Sequence, residues 1–557
     1  MKDHIPQHDL EVCPDSQGDA KGLGQAFDLD EAILRAQGRE AELTRSFSWV
    51  GALGLAFSIV NSWLTYASCF GVAYSYGGGQ IATFSPLLSA LTQLVMLQGV
   101  AELASAFPSS GGQYHYTYII APKRFRNFAA YVVGMINVIA WWINTASGTI
   151  YTAISAFGIC RFLIPGFVGA QWQVYLCYLL VILLTLLPIF IIPQHRVDIM
   201  TQSSMFLSIL GFFLVMIVCL VMGKGTYRPS SLVEYQPRSG WAPGPAWLLG
   251  IGNGEYAFVA AGACVHISEE IPKPSRRIPL VMSVLPILPA LNLTILIGVL
   301  TLMPWIIAMT CVIQDIDSVQ NSFLPSLELF YQATNSKAAA AVLQVYLTIL
   351  YYTCVPSQWI TSSRMTWAFS RDVSHPPYTS SYSQNITINL TTNPHQQNGL
   401  PFSTHWSKVD SKRGIPVRAT LLSAGFCAVY GLLYIASTQA FNSIINTAIL
   451  MLNITYTVPQ GILASGGRDR LPARYYNLGR VPGYVVNFFS VGWLVVSGVF
   501  FCFPTMRTPT IGDMNYNSIV ICGIFAIILL CWLERRTKFS GPTINWETLN
   551  AAQAVDG

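Results

Sequence analysis

The sequence predicts an all-α polytopic membrane protein with twelve transmembrane helices, and three observations carry that prediction. Of 557 residues, 52% are hydrophobic and 10% charged, against about 25% charged in an average soluble domain. The mean hydropathy is positive, at +0.46. The apolar residues also come in runs of about 20, the length that crosses a hydrocarbon core of about 30 Å. An ordinary soluble protein is excluded.

Residues 1–45 form a polar head with ten acids and five bases, expected to be a cytoplasmic tail with a short amphipathic helix beginning near Asp30. The membrane-spanning core is expected over 46–536. Twelve apolar spans are expected at 48–73, 81–106, 127–157, 173–192, 200–222, 246–267, 280–303, 338–368, 416–436, 440–462, 484–503 and 516–533. Residues 537–557 form a second polar tail.

An even number of spans puts both ends on one side, and the positive-inside rule says which. One set of loops is rich in bases, among them Lys123, Arg124, Arg126, Lys273, Arg276 and Arg277, whereas the opposite set offers only Arg161, Lys224, Arg228, Arg238, Lys337 and Arg507. Both termini are therefore expected in the cytoplasm. The twelve cysteines sit mostly within apolar runs without a C-x-x-C pair, as small packing hydrophobes do. The Met-Lys-Asp-His start lacks the order of a signal peptide, so the first helix is expected to direct insertion into the lipid bilayer. The net charge of +5 is small and scattered, so no nucleic-acid partner is expected.

Two spans differ from the rest. The first reads Gly51-Ala-Leu-Gly54-Leu-Ala-Phe-Ser58-Ile59-Val60-Asn61-Ser62-Trp63, and the sixth runs from Gly250 through Gly252, Gly254 and Gly262 to His266. They lie five spans apart, so each opens one half of a 5+5 inverted repeat, over about 48–222 and 246–462, with spans 11 and 12 following. Glycine-interrupted helices at matching positions point to a transporter binding site, although small residues also serve close helix packing.

Four segments carry a family resemblance: Gly54 to Trp63; Ala101-Glu-Leu-Ala-Ser-Ala-Phe-Pro-Ser-Ser-Gly-Gly-Gln-Tyr114; His266-Ile-Ser-Glu-Glu-Ile-Pro-Lys-Pro-Ser-Arg-Arg-Ile-Pro279; and Ser363-Arg-Met-Thr-Trp-Ala-Phe-Ser-Arg-Asp372. In this order they resemble the fungal amino acid and choline permeases of the amino acid, polyamine and organocation superfamily, from about Asp28 to Arg536. The resemblance implies a leucine-transporter-type fold with broken helices 1 and 6. It also implies proton-coupled uptake of an amine or amino acid at the plasma membrane or, less commonly, the vacuole.

Two departures stand out. Where relatives often carry Gly-aromatic-Asp in the sixth span, this chain has Ala260-Ala261-Gly262, so a substrate contact by that acid does not carry over. Residues 373–397 interrupt the run from Arg371-Asp372 to Gly399-Leu-Pro-Phe-Ser403. The stretch opens with Val373-Ser374, contains Leu390-Thr391 and ends in Gln397, all encodable by intron-boundary and branch sequences. It is read as a retained intron, with a genuine polar cytoplasmic loop as the alternative.

The resemblance puts the substrate at mid-membrane, against the first-span backbone from Ser58 through Ile59, Val60, Asn61 and Ser62 to Trp63, and against Tyr256, Phe258, Ala260 and Gly262 of the sixth. Backbone N–H groups there suit a carboxylate, whereas a quaternary ammonium is better held by aromatic faces. Trp63, Trp141, Trp142, Tyr256, Phe258, Tyr351 and Tyr352 are available for the second task. Acids inside spans are costly and functional by default. Glu255 is expected to balance an ammonium or bind the coupling proton, and Glu102 to pair at a gate. His266, Glu269 and Glu270, followed by Lys273, Arg276 and Arg277, are expected to form a gate network. Span 5 has no lysine to act as a proton switch, and Thr361, Ser362 and Ser363 keep a sodium site open.

No P-loop, H-E-x-x-H, paired metal ligands or nucleophile elbow is present, so no enzyme, cofactor or metal centre is expected. A channel would need a repeated pore loop, and a sensor a long signalling extension. The favoured expectation is import of choline or a related amine by proton symport, with a neutral amino acid such as γ-aminobutyrate as the alternative.

Overall fold

The computed structural model describes residues 29–39, 42–282, 292–371, 399–510, 514–539, 541 and 544–556. Twelve helices are long and apolar enough to cross a membrane: α1 (Trp49–Ala67), α2 (Phe70–Ala106), α3 (Arg126–Leu163), α4 (Gln171–Ile191), α5 (Gln194–Met222), α6 (Pro243–Glu270), α7 (Leu293–Val312), α8 (Lys337–Arg371), α9 (Val417–Ala436), α10 (Asn446–Gly467), α11 (Arg480–Phe500) and α12 (Asn517–Arg535). The face from which α1 starts is termed proximal, and the other distal.

Burial sorts these helices into two shells. The most apolar stretch of α1 is 89% buried and that of α12 only 11%. Helices α4 and α5 turn Leu176, Leu180, Leu183, Phe206, Leu210 and Phe213 outward, as lipid-facing surfaces do. The core is α1, α3, α6 and α10, with α2 and α8 closing around them.

Polar anchoring sets how α1 enters the bundle. The Ser48 hydroxyl caps α1 by accepting from Gly51 N at 3.0 Å. Asp198 of α5 holds the same residue through its N–H and its hydroxyl. A Cβ on Gly51 would fall onto Asp198 Oδ1, and one on Gly54 would lie 2.9 Å from the Thr201 and Gln202 backbone. These two glycines therefore let α1 and α5 approach closely, and they are not where α1 breaks.

Several expected boundaries move. α1 ends at Ala67, and α2 begins at Phe70 with a kink at Gly77 and Gly78. There the Gln80 N–H bonds the Glu234 carbonyl of a distal loop. The seventh span is displaced from 280–303 to Leu293–Val312, because Pro274–Met282 forms a separate proximal helix. Short helices also lie at Gln113–Ile120, Ile316–Asn321 and Pro325–Thr334.

The polar ends are not simply solvated. Residues 29–36 are helical, with Ile33, Ala36, Gln37 and Arg39 buried. Beyond α12, helix Trp546–Asp556 buries Leu549, and Asn545 N–H donates to Ala36 O at 2.8 Å. The insertion expected at 373–397 lies outside the described residues.

Candidate substrate site

Both helices that the sequence marks as interrupted are broken, and the two breaks touch. In α1 a single residue departs: Asn61, within the stretch expected to face the substrate, adopts the left-handed conformation (φ 32°, ψ 60°) between Trp49–Val60 and Ser62–Ala67. Asparagine tolerates this region because its short polar side chain bonds locally. Here its Oδ1 accepts from Ser208 Oγ at 2.7 Å, and its Nδ2 reaches Cys354 Sγ at 3.3 Å. In α6 the α-helix ends at Glu255, and a 3-10 turn resumes at Val259. Ser62 Oγ donates to Ala257 O at 2.8 Å and ties the breaks together.

A cavity of about 30 Å³ lies against them, lined by Ser58, Ile59 and Asn61 of α1, Tyr256 and Ala260 of α6, and facing residues of α3 and α8. Two of those facing residues carry amide atoms that are buried without a partner, Asn144 Nδ2 and Gln358 Oε1. A Cβ on Gly148 would land on Gln358 Oε1, so the glycine makes room for that amide. A buried polar atom without a hydrogen bond is costly, and one unpartnered donor and one unpartnered acceptor facing a cavity mark a ligand position.

Three tyrosines roof this cavity. The Tyr151 ring lies 6.1 Å from Tyr256 and 6.4 Å from Tyr351 between centroids. Tyr256 donates to Ser147 Oγ and Tyr351 to Leu64 O, each at 2.9 Å, which fixes these two rings beside Tyr151. The same three rings floor a distal vestibule of about 470 Å³. None of the described residues lining either cavity carries a formal charge.

Glu255 stands just behind the vestibule wall, fully buried. It accepts hydrogen bonds from Asn453 Nδ2 at 2.7 Å and from Trp493 Nε1. Among the described residues it makes no ion pair.

The proximal side is closed by charge pairs. Arg364 grips Glu270 through Nε at 2.7 Å and Nη2 at 3.1 Å, with both side chains buried. Arg371 holds Glu269 at 2.6 Å, and Arg39 approaches the same carboxylate at 3.4 Å while donating to Tyr114 OH at 2.8 Å. Glu102 is clamped by Arg468 at 2.8 Å and Arg474 at 2.7 Å. On the short helix beneath, burial first and then the Arg39 and Arg371 guanidiniums hold the His115 imidazole well below its ordinary pKa.

The gate network expected around His266 therefore has other members. Its cations come from α8 and the amino-terminal segment, whereas the Lys273 backbone N–H bonds Asp30. His266 itself accepts from Trp141 Nε1 at 3.0 Å and meets Ser110 O at 3.2 Å through Nδ1, as a neutral ring does.

Several expected substrate residues face elsewhere. Trp63 packs on Phe212 and Trp305 and donates to Ser208 Oγ. Trp142 stacks on Phe426 and donates to Thr366, and Tyr352 bonds Leu184 O. Phe258 turns toward Gly298 of α7, Val60 gives its carbonyl to Thr65, and Ser62 is spent on Ala257. Gly262 faces Tyr456, whose hydroxyl would lie 2.9 Å from an added Cβ, so its smallness serves α10 rather than the cavity. Tyr151, Asn144 and Gln358 escaped the sequence reading, although two amides at mid-span depth were a signal, since polar groups there are expensive.

Comparison with known proteins follows the same lines. An amino acid permease family model matches residues 47–393 and 394–525. The chain is 30% identical to the choline transporter of Saccharomyces cerevisiae over 516 residues, covering 92% of this chain and 85% of that one. It is 27% identical over 490 residues to a transmembrane transporter of Metarhizium robertsii, covering 88% and 91%. An amino-acid permease homologue of Oryza sativa matches at 25% identity over 554 residues, covering 96% and 98%. With its twelve helices and paired breaks, the chain belongs to the amino acid permease family and is a multi-pass membrane transporter of small amines or amino acids.

Proposed function

We propose that this permease imports choline or a related amine by proton symport across the plasma membrane, with both termini in the cytoplasm and the vestibule facing outward. The observation that carries this reading is the Tyr151, Tyr256 and Tyr351 roof above a cavity without formal charge. A quaternary ammonium is held by ring faces at about 0.5–2 kcal/mol each, the higher figure applying when water is excluded. Below the rings, the free donor of Asn144 and the free acceptor of Gln358 suit a hydroxyl, which both gives and receives. A zwitterion would need more donors around its carboxylate than this one amide. The choline transporter of yeast among the relatives supports the same substrate.

At about 30 Å³ the inner cavity holds little more than a water molecule, so the rings must part for substrate to descend from the vestibule. Glu255 is the group we assign to the coupling proton. The hydroxyls of Thr361, Ser362 and Ser363 all donate to carbonyls of their own helix, which leaves their oxygen lone pairs available to a cation, so the choice of a proton rests on Glu255.

The test is uptake of labelled choline into proteoliposomes under an imposed inward proton gradient, with unlabelled amino acids as competitors and a sodium gradient as a separate arm. Accumulation that resists competition and collapses with the proton gradient is expected. In Glu255→Gln, accumulation should vanish while choline counterflow without a gradient persists. No choline accumulation by folded protein would transfer the assignment to a neutral amino acid such as γ-aminobutyrate.

A further inference from the structure

Trp493 lies on α11, outside the two five-helix repeats, yet it touches both the vestibule and the buried carboxylate. One edge of its half-buried indole lines the vestibule, and its Nε1–H donates to Glu255. Glu255 does not itself line the vestibule, so the indole stands between the carboxylate and the water there.

The surroundings of Glu255 hold its carboxylate with an amide and an indole. It accepts from Asn453 and Trp493. Gln93 Nε2 donates in turn to Asn453 Oδ1 at 2.9 Å, and Gln93 Oε1 is buried without a partner. Among the described residues no cation competes. Helices α2, α10 and α11 carry only Glu102 and Arg480 as charged residues, both at proximal ends, and the nearby Tyr456 and Tyr256 hydroxyls bond Val259 O and Ser147.

We propose that Trp493 is the gate of the proton site: the ionised carboxylate holds the indole across the mouth of the Glu255 pocket, and protonation releases it. This rests on Glu255 being the coupling group. A hydrogen bond to a charged acceptor is roughly twice as strong as one to a neutral acceptor, so adding the proton weakens the hold on Trp493. The indole keeps its own N–H throughout. The proton reaches Glu255 from vestibule water only when the ring swings aside. Trp493 is thus a positioning residue, through which the charge state of a hidden carboxylate is felt in the vestibule.

Substrate-free proton leak into pyranine-loaded proteoliposomes of the full chain tests this without reference to substrate identity. Trp493→Phe loses the donor and is expected to raise the leak by at least about tenfold, the weight of one hydrogen bond to a charged group. The leak should vanish in the Trp493→Phe/Glu255→Gln double variant, and Trp493→Tyr, which restores a donor, should fall between Trp493→Phe and wild type. If Glu255→Gln keeps gradient-driven accumulation, the coupling assignment fails. If it loses accumulation while Trp493→Phe and Trp493→Tyr, monodisperse on size exclusion, leak like wild type, the gate fails alone.

Discussion

The proximal and distal halves of this transporter treat buried carboxylates in opposite ways. Proximally, Glu102, Glu269 and Glu270 each meet at least one guanidinium. Distally, Glu255 meets only an amide and an indole beside a large vestibule. A buried ion pair is weak evidence of stability, because desolvation offsets the attraction, but losing one partner leaves a stranded charge at a cost of about 3–5 kcal/mol. The proximal half is therefore locked by pairs that must hydrate together to open. The distal half holds its carboxylate without a guanidinium among the described residues.

The largest effect should come from breaking one lock. Arg364→Leu strands Glu270 and is expected to cost about 3–5 kcal/mol, read as a marked fall in melting temperature in detergent. Glu255→Gln, which keeps shape and part of the hydrogen bonding, should cost about 1 kcal/mol or less. Equal losses in the two variants would erase the contrast between the halves.

The tyrosine roof offers the next test. Tyr151→Leu should weaken choline binding about tenfold, as the loss of one desolvated cation–π face of up to about 2 kcal/mol implies, whereas Tyr151→Phe should stay within about twofold. Equal weakening by both, measured by competition binding, would assign the role to the hydroxyl instead of the ring.

Gly262→Ala is expected to act more mildly. It presses on the Tyr456 hydroxyl and disturbs its 2.8 Å bond to Val259 O, a loss of about 1 kcal/mol visible as lower thermal stability with choline affinity retained.

The smallest effect concerns His115. Its depressed pKa makes the neutral imidazole part of the packed proximal state, while a hydrated imidazole binds the proton more readily. The seal is therefore whole above the ordinary value of 6.5 and weakens as proximal pH falls below it. Hydrogen exchange over 29–37 and 113–120, corrected for intrinsic rates, should quicken on acidification in wild type and stay flat in His115→Phe.

Much of the architecture was legible in the chain because hydropathy reports a solvent, and the lipid imposes the length of each span. The seventh span was misplaced because Leu280 to Met282, apolar as they are, belong to the proximal helix around Pro279. Glycine misled for a physical reason. Gly51, Gly54 and Gly262 are small because another helix passes close to them, while the break in α1 falls on Asn61, whose side chain is held from α5 and α8. Arg39, Arg364 and Arg371 were not legible as partners of Glu269 and Glu270, since the residues that meet are about a hundred or more positions apart and helical periodicity says nothing of what lies across a gap. Tyr151 was missed likewise, as one aromatic among many until α3 is set beside α6 and α8.

The bond from Asn545 to Ala36 has a consequence for biosynthesis. About 500 residues separate the two, and at roughly 5–20 residues per second the earlier segment waits on the order of a minute for the later one. Until then the underside of the bundle lacks its last tie. A newly made chain therefore lacks this proximal tie until residue 545 has been made, so truncation before that point would yield an inserted protein with a loosened proximal end.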